Sequence, residues 1–248
     1  MAPATDDTTS ALDALRAEVE ACALCELHVT RTRGVPGEGD PGSDLMFVGE
    51  APGYHEDQQG RPFVGQAGRL LQQLLAGIGL TREQVFIANV LKSRPPNNRD
   101  PRPEEIAACQ PYLWRQIELI RPRVICTLGN FATKLLSGDP AGITRVHGRP
   151  QPMQVGGHSL YLFPIFHPAA ALYTPAMLAT LKEDFLRLPE LLQSAPPGEG
   201  LAAPSSATAG TQPAAAPAPA PESAPAPASA PSPAASARVG EAEQLGLF

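Results

Sequence analysis

A chain of 248 residues with 43% hydrophobic side chains can bury a sizeable core, and no run of eighteen apolar residues exists to span a membrane. The formal net charge of −6 excludes binding to a polyanion by bulk attraction. The charge is uneven, however. Residues 1–30 carry one basic and six acidic side chains and residues 196–248 carry one and four, leaving 17 basic against 15 acidic between them. A near-neutral middle suits a protein that holds nucleic acid through a local basic patch.

The opening stretch, MAPATDDTTS, is polar and acidic, without the basic start and apolar core of a signal peptide, so a cytoplasmic location is expected. Residues 1–9 read as a flexible N-terminus and residues 10–195 as one domain. Within it, four short runs rich in Val, Ile, Leu and Phe read as buried strands: Leu45–Gly49 and residues 85–90, 123–128 and 160–166. Helical patterns cover residues 67–76, 103–120, 130–136 and 176–192. Pro103 followed by Glu104 and Glu105 makes a good helix start, with carboxylates at the positive end of the dipole. This alternation predicts an α/β fold: a central, mainly parallel four-stranded sheet with helices on both faces. Ligands in such folds bind beyond the carboxyl ends of the strands. The unusual residues gather in those loops, at 50–63, 92–102 and 167–175.

Four cysteines stand in two pairs, Cys22-x-x-Cys25 and Cys109 with Cys126. A cytoplasmic protein rarely spends cysteines on structural disulfides, so a metal centre is favoured over two buried core thiols. Cys109 falls in a helix and Cys126 in the strand that follows, and packing of the two elements would bring them together. Four thiolates suit tetrahedral zinc or a 4Fe–4S cluster. Zinc ribbons normally carry a second Cys-x-x-Cys knuckle, and its absence tilts the reading toward iron–sulfur.

After the first strand, Gly49-Glu50-Ala51-Pro52-Gly53 makes a tight turn whose backbone can approach a ligand closely. Glu50 and Glu56 are placed to polarise a water. Phe63 puts an aromatic ring in a loop, where it could stack on a base. These residues, together with 60–68 (GRPFVGQAG), Asn89 to Pro96, Asn98 to Pro101 and His167-Pro168-Ala169, resemble the family 4 uracil-DNA glycosylases. The resemblance runs from about Cys22 to about Leu192 and includes the cysteine spacing by which that family holds a structural 4Fe–4S cluster.

What it implies is a uracil-DNA glycosylase-like three-layer fold and a hydrolase of DNA base-excision repair that leaves an abasic site. Phe63 would stack on a flipped uracil, Asn89 would read its Watson–Crick edge and His167 would donate to O2, with main-chain atoms of Gly49 to Ala51 lining the pocket. An aspartate that assists the water in a related family is matched here by Ala51, so Glu50, or failing it Glu56, is expected to position the water. Lys92, Arg94, Arg99 and Arg102 would clamp phosphates, and Leu172 or Tyr173 would wedge into the duplex. Rival readings are an iron–sulfur redox or electron-transfer protein, which leaves Phe63, Asn89 and His167 idle, and a uracil-DNA binder that traps its product. A relative that traps does so with a histidine in an arginine-rich insert of the second loop, and that loop here has no histidine.

Residues 196–240 are mostly Ala, Pro, Ser and Gly, a composition read as a disordered linker. Residues 241–248 end it with Gln244-Leu245-Gly246-Leu247-Phe248, which resembles the peptide by which bacterial repair and replication proteins bind the sliding clamp. The expected partners are uracil-containing DNA and that clamp, with the protein a monomer near the nucleoid.

Overall fold

Six strands form one sheet: β1 (Glu38–Gly39), β2 (Leu45–Gly49), β3 (Phe86–Asn89), β4 (Val124–Leu128), β5 (Gln151–Val155) and β6 (His158–Ile165), in the spatial order β1-β3-β2-β4-β6-β5. The structure is a computed structural model that describes residues 6–194. The linker and the terminal peptide read above lie outside the described residues.

The four expected strands are the parallel centre, β3-β2-β4-β6. The four-stranded expectation is corrected at both edges, where β1 and β5 add antiparallel strands. Neither carries the apolar signature of a buried strand. β1 is two residues long, and β5 is mostly half-buried or exposed and contains Pro152, which only an edge tolerates. Gly156 and Gly157, with φ of 54° and 77°, supply the positive-φ turn joining β5 to β6.

Ten helices pack around the sheet among the described residues: α1 (Asp6–Ala21), α2 (Leu27–Thr30), α3 (Tyr54–Gln59), α4 (Gln66–Gly77), α5 (Pro103–Ile120), α6 (Asn130–Ser137), α7 (Ile143–Val146), α8 (Pro168–Ala171), α9 (Pro175–Leu186) and α10 (Leu188–Gln193). Helix α1 begins at Asp6, within the stretch read as flexible, and buries Leu15 and Val19 beside Tyr112 of α5. The helix expected over 176–192 is broken between α9 and α10. Pro189 lacks the N–H that would continue the ladder there.

Period-2 alternation divides the core into two layers. Phe47, Cys126 and Phe163 are partners across three strands and face α4 and α9, where Phe47 stacks on Phe185 at 5.8 Å. Met46, Ile125 and Leu162 are their chain neighbours, and they face α5 and α6 on the other side. All four parallel strands end on one edge, so Glu50, Val90, Gly129 and His167 emerge close together.

Candidate active site

Parallel pairing sets Gly49 against Asn89 at the last rung of β2 and β3. Asn89 is 2% exposed, and its Oδ1 is the one buried side-chain nitrogen or oxygen without a hydrogen-bond partner among the described residues. Such an atom costs about 1–3 kcal/mol unless something binds to it. A Cβ on Gly49 would stand 2.4 Å from that Oδ1 and 2.8 Å from Cζ of Phe63, so only glycine lets both approach.

Phe63 is held at φ 52°, a left-handed conformation that costs a non-glycine residue on the order of 1–3 kcal/mol. Its surroundings over-determine that geometry. Glu56 Oε1 accepts from the N–H groups of Val64 and Gly65 at 2.9 Å each. The buried guanidinium of Arg82 donates to the carbonyl oxygens of Pro62 and of Phe63, the latter at 2.8 Å. Glu38 on β1 ion-pairs with Arg82 at 2.6 Å and with Arg61 at 2.7 Å. Burial pushes the Glu38 carboxyl up, but the hydrogen bonds from Arg61 and Arg82 outweigh it and hold the group low and charged. Gly68 completes the fit, since a Cβ there would meet the Phe63 oxygen at 1.8 Å.

The His167 ring lies over Phe63, with ring centroids 5.6 Å apart. Its Nδ1 accepts from the N–H of Ala169 at 3.1 Å, capping α8. A nitrogen that accepts carries no proton, so the neutral ring presents its hydrogen on Nε2. Burial drives the His167 pKa down to about 4, against a weaker upward pull from Glu56, and the ring is neutral at physiological pH. Glu50 is half-buried, and desolvation, then the like charge of Asp100, raises its pKa. Glu50, Ala51, Phe63, Asn89 and His167 line one cavity of about 420 Å³. A second cavity, of about 550 Å³, shares Glu50 and His167 and extends along α6 past Asn130 and Lys134. Gly49 backs the first cavity behind Asn89 and Phe63.

The basic residues of the second loop divide. Lys92, expected to clamp phosphate, is 1% exposed, and its Nζ donates to the Asn89 carbonyl at 2.8 Å and to Gln116 Oε1 at 2.7 Å. This expectation is corrected: burial lowers its pKa to about 7, and the side chain braces the strand end from inside. Arg94 stays at the surface, over the Tyr54 ring and hydrogen-bonded to Asn98. Arg99 is engaged by Glu105 at 2.5 Å, and Arg102 is half-exposed near Glu26. Leu172 packs against the core, whereas Tyr173, just after α8, is 82% exposed.

The cysteines do not assemble as expected. Cys22, Cys25 and Cys109 lie within electrostatic reach of one another near α1 and α5. Cys126 lies in the opposite core layer, fully buried, and the charge that acts on it is Asp184 of α9. A strand residue and its neighbour point to opposite faces, and α5 covers the Ile125 face. Among the described residues no three His, Cys, Asp or Glu are drawn close enough to hold a single metal ion. Three of the thiols suit a larger iron–sulfur cluster and the fourth does not.

Glu38 and Arg82, which the sequence reading missed along with Gln116, have no distinguishing mark in the sequence. Gln116 alone offered a signal: it sits one turn from Leu113 and Ile120 on the buried face of α5, where a polar residue needs a reason.

A profile of the uracil DNA glycosylase superfamily matches residues 36–189, and the chain belongs to that superfamily. Among its relatives, a "Type-4 uracil-DNA glycosylase" of Sulfurisphaera tokodaii is 50% identical over 185 residues, 73% of this chain and 84% of the relative. One of the same description from Saccharolobus solfataricus is 48% identical over 75% of this chain and 88% of its own. Another, from Archaeoglobus fulgidus, is 47% identical over 73% and 92%.

Arg82 anchors the Phe63 loop, and losing it leaves two carbonyls without their donor and Glu38 with Arg61 alone. Arg82→Ala should destabilise the domain by about 3 kcal/mol, read in urea titration. Amide exchange at Val64 and Gly65 should quicken more than at β3. Unchanged exchange at those two amides would show that the loop holds itself.

Proposed function

We propose that this chain excises uracil from DNA by hydrolysing its N-glycosidic bond, leaving an abasic site for base-excision repair. The observation that carries this reading is the unpaired Asn89 Oδ1 at the floor of a cavity walled by the Phe63 ring. One amide then accepts from N3–H of uracil through Oδ1 and donates to O4 through Nδ2. Cytosine offers a donor at C4 and no proton on N3, so it is mismatched at both, at about 1–3 kcal/mol for each unsatisfied group. The target base must leave the duplex to enter such a cavity. Tyr173 is the side chain exposed to take its place in the stack, whereas Leu172 is held against the core, and Arg94, Arg99 and Arg102 meet the phosphates.

As the bond from N1 to C1′ breaks, electrons flow to the uracil ring and charge gathers on O2. His167 donates from Nε2 to that oxygen, and a neutral donor in a dry site stabilises it strongly. Water adds its oxygen to C1′, and the proton it gives up passes to solvent, which returns one to the departing uracil anion. Glu50 orients the water and stabilises the cationic sugar; Glu56 already spends Oε1 on two loop amides. The enzyme also carries a 4Fe–4S cluster, whose role is structural: Cys22, Cys25 and Cys109 would hold it and tie the N-terminal segment to α5. Hydrolysis of a glycosidic bond requires no electron transfer.

The protein works as a monomer on chromosomal DNA in the cytoplasm, tethered to the sliding clamp through Gln244, Leu245, Leu247 and Phe248. Such a tether raises local concentration on DNA without fixing orientation. No described helix is long and apolar enough to cross a membrane.

Release of uracil from an oligonucleotide should fall about a hundredfold or more in His167→Ala and in Asn89→Ala. Wild-type release without a drop in either variant would overturn the pocket assignment. The pH profile follows from Glu50. Its raised pKa means the working carboxylate is lost as pH falls, at a value above its ordinary 4.5, while His167 stays neutral down to about 4. The rate should therefore decline on the acid side with a single limb. Glu50→Gln should abolish the limb and lower the plateau about a hundredfold; a limb that survives assigns it elsewhere. Deleting residues 244–248 should leave activity on a short oligonucleotide intact and end retention on immobilised sliding clamp. Retention by the truncated chain would exclude the tether.

A further inference from the structure

The cysteine arrangement goes one step beyond the cluster reading on which it rests. Each of the three thiols near α1 and α5 has a hydrogen-bond donor turned toward it. The Lys92 N–H points at Cys109 Sγ at 3.4 Å, the Leu27 N–H at Cys25, and the Tyr112 hydroxyl at Cys22. Donors of this kind stabilise sulfur in its thiolate form and tune clusters bound to it. Among the described residues Cys126 has no such donor, and it sits among Phe47, Phe163 and Phe185 behind the sheet. Moving it to the other face would need a one-residue slip of β4, which would carry Ile125 and Leu128 to the wrong layers.

A fourth position is nevertheless furnished. Ser93 follows Lys92 directly, is 3% exposed, and receives a hydrogen bond from Arg31 Nη1 at 2.8 Å. The other terminal nitrogen of Arg31 donates to the Cys22 carbonyl at 2.9 Å and to the Glu20 carbonyl at 2.7 Å. Ser93 is thereby tied on one side to the residue whose amide meets Cys109, and on the other to the Cys22 backbone. Each thiolate of a four-iron cluster would hold a different iron, so such ligands stand farther apart than ligands around one ion, which accords with three thiols that approach without closing up.

We infer that the cluster of this chain is bound by three thiolates, Cys22, Cys25 and Cys109, with Ser93 at the fourth corner, and that Cys126 is a core thiol. A hydroxyl is a harder, weaker ligand for iron than a thiolate. The iron at that corner is accordingly the one released first. One-electron oxidation by ferricyanide takes the cluster from the 2+ to the 3+ level, and loss of one ferrous ion leaves a three-iron cluster at 1+.

The test uses the full chain, reconstituted anaerobically with ferrous iron and sulfide, and reads iron and acid-labile sulfide per chain and the electron paramagnetic resonance spectrum. Cys126→Val and Cys126→Ala should retain wild-type iron and sulfide, whereas Cys109→Ala should lose the cluster. After ferricyanide, wild type should give a three-iron signal with one iron released per chain, and Ser93→Cys should keep its fourth iron. Loss of the cluster in a folded Cys126 variant would overturn the inference, as would a Ser93→Cys variant that sheds iron like wild type. A reconstituted wild type holding no iron or sulfide would overturn the cluster reading itself, and this inference with it.

Discussion

At the carboxyl end of the sheet, the contact between Gly49, Asn89 and Phe63 governs everything built above it. A side chain at Gly49 would overlap both the Asn89 amide and the Phe63 ring, so the cavity exists because a strand ends in glycine there. The amide is left with an unpaired acceptor and the ring with an open face over which His167 lies. The unpaired acceptor is a cost to the fold of about 1–3 kcal/mol that a bound donor can return. Sites that bind tightly often carry such unsatisfied groups, because a ligand then supplies what folding left unmade.

Two buried basic side chains set that geometry from behind. Arg82 holds the Phe63 loop by its carbonyls, with Glu38 to balance the charge. Lys92 holds the end of β3 by the Asn89 carbonyl, with Gln116 as its second acceptor. Both residues look in sequence like surface cations, and Lys92 sits among arginines that do stay near solvent. Burial separates them, because a cation inside a domain must have acceptors, and here the acceptors are main-chain oxygens of the site itself.

The parallel strands, the three loops and the residues of the cavity were legible in the chain. Their signals are local: apolar runs of strand length, glycine and proline at turns, and an aromatic in a polar loop. The edge strands were not legible, since β1 is too short and β5 too polar to be told from loop. The early start of α1 escaped for a related reason. Its packing rests on Leu15 and Val19 against α5, a contact with no trace in the helix's own polar first turn.

The cysteines mark the boundary between the two kinds of information. Composition and spacing determined that four cysteines occur as two pairs, and strand alternation determined that Ile125 and Cys126 face opposite ways. Which of those faces α5 covers is decided only when the sheet and helices pack, and α5 covers the Ile125 face, parting Cys126 from Cys109. The same division holds for Asn89. Its type and its place at a strand end are written in the chain, but its unpaired oxygen arises from the meeting of β2, β3 and the Phe63 loop, segments that are neighbours only in the folded state.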